Sequence, residues 1–323
     1  MSDVIKAAPE SSTTFRVTEP GIYELPADVY HADPCPTPSL SSSGAHILAF
    51  ECPATFDYDR RNRTNKRVFD IGTASHLMTL EPDLFDSQIV IIDGRTKDGK
   101  PSAGYTSQDA KDQRDAAYAA GLTPLIPSEA QLIRDMRAAL YADPIGRHAF
   151  KPGTGKPEQS IFWQDAEFGV WCRTRPDWIP SRPTYLMNWK TSASANPDDV
   201  AKAIFNLGYF QKSAWELDGY EAVTGERPAK YCLLVQSKAP PHLVIPVWLH
   251  ADDLAWGRKV NRYARGLYRW CFDRNEWPGH SQRPGQAPRG FDDIRMPTWA
   301  IKQLETKDER GEFVVPELME NAA

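Results

Sequence analysis

The chain has 323 residues and a formal net charge of −5, long enough for one large domain with insertions or two modest ones, either of which buries an ample core. No run approaches the roughly 18 uninterrupted apolar residues of a membrane helix, and Met1 to Phe15 lacks a basic start followed by an apolar block, so the expectation is a cytoplasmic protein without membrane spans. The five cysteines, Cys35, Cys52, Cys172, Cys232 and Cys271, are scattered with no C-x-x-C pair, which reads as reduced, packed thiols rather than a zinc site or a redox couple.

In chain order, residues 1–20 are polar and aperiodic, which predicts a loose N-terminal arm. The run Ser39-Leu40-Ser41-Ser42-Ser43 offers helix-capping hydroxyls before a short helix from Ala45 to Phe50. Between Arg60 and Arg67 stand Arg60, Arg61, Arg63, Lys66 and Arg67 with no acid among them. A helix is expected from Phe69 to Leu80, stopped by Pro82, then a Gly- and Lys-containing loop from Arg95 to Tyr105. Ser107 to Ala120 and Ser128 to Tyr141 read as helices, the second capped by Ser128.

The period then changes. Gln159 to Trp163, Val170 to Arg175 and Tyr185 to Lys190 are short, aromatic and β-branched, and bounded by Gly or Pro, which predicts three neighbouring strands. Asp198 to Val223 is helical with an interruption near Gly208; Tyr231 to Gln236 and Leu243 to Leu249 are two more strands, and Asp252 to Phe272 is a long helix. Strands grouped between helices imply an α/β or α+β core. Most of the ten tryptophans, Trp163 and Trp189 included, are expected inside it. On the last helix Arg258, Arg262, Arg265 and Arg269 recur at spacings of four, three and four, which puts them on one face. Such a stripe alone reads as a solvated surface, and beside phosphate chemistry as a contact to nucleic-acid backbone.

The chemistry sits in Arg175-Pro176-Asp177 and, eleven residues beyond Asp177, Asn188-Trp189-Lys190. In a strand, residues i and i+2 share a face, so Asn188 and Lys190 point together and Trp189 points into the opposite layer. A neighbouring strand ending at Asp177 would bring an oxygen ligand, an amide and a cation to one point. Such a group suits phosphodiester hydrolysis, because Mg²⁺ takes hard oxygen ligands and Lys190 can hold or deprotonate the attacking water.

These residues, with the Gly169-Val170-Trp171-Cys172-Arg173 strand before them and Thr191-Ser192 after, resemble the PD-(D/E)xK nuclease superfamily. Further motifs are Tyr30-His31-Ala32-Asp33, Ser41-Ser42-Ser43, Cys52-Pro53-Ala54, Gly72-Thr73-Ala74-Ser75-His76, Gln211 with Leu217-Asp218-Gly219, and Trp277-Pro278-Gly279. Their order over Gly21 to Trp299 is similar to that of RecE-type (exonuclease eight) phage or prophage recombination nucleases. The resemblance implies a restriction-endonuclease-like core, a central mixed sheet flanked by helices, over residues 21–305, with a tail at 306–323. It assigns His76, Glu158, Asp177 and position 188 to the metal, Mg²⁺ with Mn²⁺ as a substitute, and makes Lys190 the catalytic lysine. Gln211 matches a helix glutamine near the scissile phosphate, and Trp215 stands where the family has tyrosine.

The implied activity is 5′-to-3′ digestion of linear double-stranded DNA from its ends, in an oligomeric ring working with a single-strand annealing protein for homologous recombination. The two basic clusters would line the ring's channel. Asn188 departs from the family: an amide keeps one carbonyl oxygen but loses the charge of the expected acid, which predicts an inactive or impaired chain. A deliberate Asp-to-Asn change is favoured, because all other pieces match; the alternative is a natural non-catalytic DNA-binding or assembly module. A Cas4-like nuclease with an iron–sulfur cluster is disfavoured, because Cys232 and Cys271 stand far apart.

Overall fold

The computed structural model describes residues 5–7, 15–62, 70–282 and 294–313. In chain order these form β1 (Ile5–Ala7), β2 (Gly21–Glu24), α1 (Ala27–His31), β3 (Leu40–Ser41), α2 (Ser42–Phe50), α3 (Pro53–Arg61), α4 (Asp70–Leu80), α5 (Pro82–Gln88), β4 (Ile89–Ile91), α6 (Gln108–Ala119), β5 (Thr123–Leu125), α7 (Pro127–Ala142) and α8 (Gly146–Ala149). There follow β6 (Gly155–Pro157), β7 (Ser160–Gln164), β8 (Trp171–Thr174), β9 (Trp178–Pro180), β10 (Tyr185–Ser192), α9 (Pro197–Asn206), α10 (Tyr209–Thr224), β11 (Lys230–Ser237), β12 (Val244–Trp248), α11 (Ala251–Arg274) and α12 (Thr298–Glu309).

Local chemistry sets several boundaries. The Ser41 hydroxyl accepts the Gly44 N–H at 3.2 Å and opens α2, as its position in the serine run predicts. Pro82 does more than stop α4: it occupies the first turn of α5, where its missing N–H costs nothing. Helix α7 starts at Pro127, and its cap is the Glu129 carboxylate reaching back to the Ile126 N–H at 3.0 Å, not Ser128. The break between α9 and α10 falls at Gly208, whose φ of 66° suits glycine and whose missing Cβ leaves room for the His46 ring.

The sheet is mixed and lies in two five-stranded pieces, β1-β2-β7-β8-β3 and β12-β11-β10-β9-β6, with a separate β4-β5 pair. Strands β10 and β11 run parallel, Asn188 opposite Leu233 and Lys190 opposite Val235. Both faces of this pair are buried. Leu186, Leu233 and Val235 join the apolar cluster containing residues of α2, α10 and α11, while Met187, Trp189, Cys232 and Leu234 pack with Leu80, Leu140 and Phe150. Near-continuous apolar runs are what two-sided burial of a parallel pair requires. Helix α10 packs on β7 and β8. Its close approach needs Gly219, where a Cβ would come within 2.6 Å of the Trp163 ring.

The expected neighbours are partly rearranged. Strands β7 and β8 pair with each other, but β10 pairs with β9 and β11 rather than with β8. Besides the long helical passage from β3 to β6, the chain crosses directly between the two sheet pieces at Glu158-Gln159, from β6 to β7, and at Arg175-Pro176-Asp177, from β8 to β9. The Glu158 N–H donates to the Asp177 carbonyl at 3.2 Å and ties the crossings together. Within the first twenty residues, Ile5–Ala7 pairs with β2 and Val17 is buried. The chain divides into two compact units, Met1–Trp277 and Pro278–Ala323, so the second unit takes in the end of the expected 21–305 domain as well as the tail. No helix among the described residues is long and apolar enough to cross a membrane.

Candidate metal centre

The two crossings and helix α4 converge. One ligand atom each from His76, Glu158 and Asp177 lies within 4.8 Å of the others. Two carboxylate oxygens and an imidazole nitrogen at this separation suit a single divalent cation, and hard oxygen donors favour Mg²⁺ or Mn²⁺. Asp177 is almost fully buried, its Oδ2 accepting the Trp189 N–H at 2.7 Å and the Lys190 ammonium at 3.2 Å. Lys190 also donates to the Trp189 carbonyl at 3.1 Å.

His76 lies parallel to the Trp189 ring, centroids 5.3 Å apart, with Nε2 3.1 Å from the Trp189 carbonyl. A carbonyl only accepts, so in the neutral ring the proton sits on Nε2, and Nδ1, which lies 3.5 Å from Glu158 Oε1, is the nitrogen left to ligate. Glu158 adopts a left-handed backbone, φ 49°, an unfavourable conformation for a non-glycine residue that turns its side chain inward. The Arg175 guanidinium holds the other Glu158 oxygen at 2.8 Å, and is itself fixed by the Leu25 carbonyl and the Ser160 hydroxyl.

Burial opposes charge on Asp177, but Lys190, His76, Lys212 and the Trp189 N–H outweigh it and hold the carboxyl below its ordinary range. For Lys190 burial prevails over the attraction of Asp177, and the ammonium loses its proton more easily than a free lysine.

Asn188 is fully buried and both ends of its amide are engaged: Oδ1 accepts the Asp177 N–H at 3.0 Å, and Nδ2 donates to Glu216 Oε1 at 3.2 Å. Glu216, on α10, is also fully buried. Its other oxygen accepts the Tyr231 hydroxyl at 2.5 Å, and Lys212 Nζ lies 3.5 Å from Oε1. Burial, offset in part by Lys212 and Tyr231, raises the Glu216 carboxyl. Burial also lowers Lys212, but Glu216 and Asp177 overcome it and raise the ammonium above the ordinary value. Glu216 and Lys212 were missed in the sequence, and Arg175 stood in the motif without a role. The available signal was a glutamate set among Ala214, Trp215, Leu217 and Tyr220 on a buried face.

Other expected site residues lie elsewhere. Gln211 does not face the acidic group. It is fully buried, with Oε1 2.9 Å from His46 Nδ1, and its neighbour Lys212 is the side chain that pairs with Glu216. Trp215 is fully buried too, donating to the Arg173 carbonyl at 3.0 Å and edge-on to Trp163, so it offers no stacking surface.

The α11 arginines are each paired with an acid: Arg258 with Asp218 at 2.9 Å, and Arg262 with Glu167, Arg265 with Asp165 and Arg269 with Asp273 at 2.8 Å. Arg60 and Arg61 share Asp57, and Arg60 lies over the Trp277 ring. Arg63, Lys66 and Arg67 lie outside the described residues. All five cysteines are buried and unpaired, as expected, and burial pushes the Cys232 thiol up to about 11.

Comparison with known proteins adds a family. The profile of a PDDEXK-like domain of unknown function (DUF3799) matches residues 41–284. Among solved structures, a protein from Eubacterium rectale named as a candidate exonuclease superposes with a TM-score of 0.52 at 11% identity, over 82% of this chain and 92% of that one. At that identity the likeness speaks for the fold alone. A protein named SSO0001 matches 62% of this chain and 87% of its own at 12% identity, but its TM-score of 0.26 carries no argument. Among curated proteins no match reaches significance.

Proposed function

The chain belongs to the PDDEXK-like family, and from that premise we propose that it is a divalent-metal-dependent nuclease hydrolysing DNA phosphodiesters. The observation that carries the reading is the convergence of His76, Glu158 and Asp177 within 4.8 Å, with Lys190 Nζ 3.2 Å from Asp177. A bound Mg²⁺ or Mn²⁺ would neutralise charge growing on the phosphate oxygens and acidify the attacking water. His76, Glu158 and Asp177 would hold it. Lys190 is anchored by Asp177 and the Trp189 carbonyl, and burial eases loss of its proton, so it can orient the water and take its proton. Trp189 fixes three parts at once: its N–H orients Asp177, its carbonyl orients His76 and Lys190, and its ring supports the imidazole.

The finer reading is a RecE-type 5′-to-3′ exodeoxyribonuclease acting on duplex ends, in a ring and beside an annealing protein. Its support is the ordered set of motifs from Tyr30 to Trp277. The test is nucleotide release from linear duplex labelled at the 5′ or the 3′ end, and from covalently closed circles, with Mg²⁺ or Mn²⁺. Early release of the 5′ label from linear DNA, with circles intact, is the expected result. Nicking of circles would replace the exonuclease reading with an endonuclease. No cleavage of any substrate, with DNA still bound, would replace it with a binding module.

A further inference from the structure

The arginine stripe is not the only pattern on α11. Trp256, Tyr263 and Trp270 recur every seven residues along the same helix, with Lys259 and Arg274 beside them. At about 100° per residue these five side chains form a second stripe, about a third of a turn away from Arg258, Arg262, Arg265 and Arg269. It opens to solvent: Trp256 is 61% and Tyr263 57% exposed, Lys259 and Arg274 are exposed, and Trp270 is half-buried. We propose that this stripe is a track for single-stranded DNA, whose bases stack on the rings while Lys259 and Arg274 meet the phosphates. The inference deepens the nuclease reading and rests on it for the source of the strand, since digesting one strand of a duplex leaves the other single.

Three observations carry it. First, the cations of this stripe are not compensated. Every arginine of the other stripe is paired with a carboxylate, whereas neither Lys259 nor Arg274 makes an ion pair among the described residues. Each lies instead over a ring, Lys259 Nζ 4.4 Å from the centre of Trp256 and the Arg274 guanidinium 5.0 Å from that of Trp270. Positive charge left open at the surface is complemented by an anion, and a cation beside each ring sets a phosphate contact next to a base contact. Asp252 and Asp253 stand in the first helical turn, before Trp256, and Asp273 is held by Arg269, so the uncompensated stretch runs from Trp256 toward Arg274.

Second, the rings select the form of the nucleic acid. A duplex keeps its base faces inside its own stack and would leave the three rings unused, whereas the bases of a single strand are free to stack on them. The rings follow one another at about 10.5 Å, and the stripe from Trp256 to Arg274 is about 27 Å long, enough for a short run of nucleotides.

Third, the pattern does not suit another helix. Helices that pack along a seam need apolar side chains at both alternating positions of the seven-residue repeat. Here the rings fill one position, and the other holds Lys259, Gly266 and Asp273. Lysine is also depleted where proteins meet, so a second copy of the chain is the poorer occupant.

The experiment follows the fluorescence anisotropy of a short fluorescein-labelled oligo(dT) with the full chain in excess EDTA, where nothing is cut. Trp256→Ala/Tyr263→Ala is expected to weaken binding by at least about 30-fold, the product of two lost stacking contacts, and Trp256→Phe/Tyr263→Phe to retain most of it. Lys259→Gln/Arg274→Gln should lower the slope of log affinity against log salt by about 1.4, where Arg262→Ala/Arg269→Ala changes it little. An abasic strand of the same length should bind the starting protein as weakly as oligo(dT) binds the alanine variant, a comparison that needs no substitution to fold.

Oligo(dT) bound equally well by the starting protein and by Trp256→Ala/Tyr263→Ala overturns the inference. So does an oligomer, seen by sedimentation, that this variant dissociates, because the stripe would then join copies of the chain. Metal-dependent cleavage by a starting protein that does not bind oligo(dT) would sink the track and leave the nuclease. Stripe-dependent binding with no cleavage of any substrate would sink the nuclease reading and leave the track.

Discussion

Helices α10 and α11 both carry charges at i, i+4 spacing, and the two sets do opposite things. On α10, Lys212 and Glu216 turn inward, Glu216 with no exposure, and Glu216 meets Asn188 and Tyr231 on the strands beside Asp177. On α11, Arg258, Arg262, Arg265 and Arg269 each meet an acid, and Arg262 and Arg269 do so in the open, with side chains 65% and 48% exposed. The same spacing therefore builds an inward-facing ion pair on one helix and a compensated surface on the other. What separates them is the neighbours. The Glu216 charge, among Trp215, Leu217 and Tyr220, is held where water cannot screen it, whereas exposed pairs are screened and contribute at most about 1 kcal/mol.

The sharpest way to test this contrast is to break the inward side at its most committed residue. Lys190→Ala should lower DNA cleavage by about 1,000- to 10,000-fold with the fold intact by circular dichroism; activity within tenfold of the starting protein would remove the strand motif from the chemistry. Next in size is Trp189→Ala. Trp189 is fully buried, stacks on His76 and packs with Phe150. Its removal should cost about 3–5 kcal/mol in chemical denaturation and release His76, so that residual activity falls further than stability alone explains.

A divalent cation should bind the folded centre and not the unfolded chain. Adding Mg²⁺ or Mn²⁺ at about 100 times its dissociation constant should stabilise the protein by about 2.7 kcal/mol, and chelation should reverse it. No shift in melting temperature, or the same shift in an Asp177→Ala protein, would count against the centre.

The smallest effect belongs to the outward side. Arg262→Ala with Arg269→Ala should change stability by no more than about 1 kcal/mol and the salt dependence of duplex binding by well under one unit of slope. Two true phosphate contacts would remove nearly two units. A loss of that size would restore the α11 face as a DNA contact despite its acids.

How much was legible varies along the chain. From Ser160 to Arg274, the unexpected β9 apart, the strands and helices follow the pattern of aromatic and β-branched runs bounded by Gly and Pro, because two-sided burial demands such runs and breaks in them end elements. Asp177 and Lys190 stood out by spacing; His76 and Glu158 gained a role only through a family resemblance, and the structure gathers His76, Glu158 and Asp177. The resemblance points to Gln211, yet the rotation of α10 buries Gln211 against His46 and aims Lys212, the next residue, at Glu216. Helix phase at single-residue precision depends on packing, and the local pattern does not hold it.

The sequence by itself determined the order of β7, β8, β10, α9, α10, β11, β12 and α11, and the presence of an aspartate and a lysine at strand-motif spacing, because these depend on local periodicity and on the short reach of a strand. Only the tertiary structure decided that β9 rather than β8 lies beside β10, and that Glu158 and Asp177 meet at the two crossings between sheet pieces. It alone decided that Asp165, Glu167 and Asp218 neutralise α11, and that Glu216 stands against Asn188. Most of these contacts join residues far apart in the chain, and which partners meet is fixed by how whole sheets and helices pack, a property no local window contains.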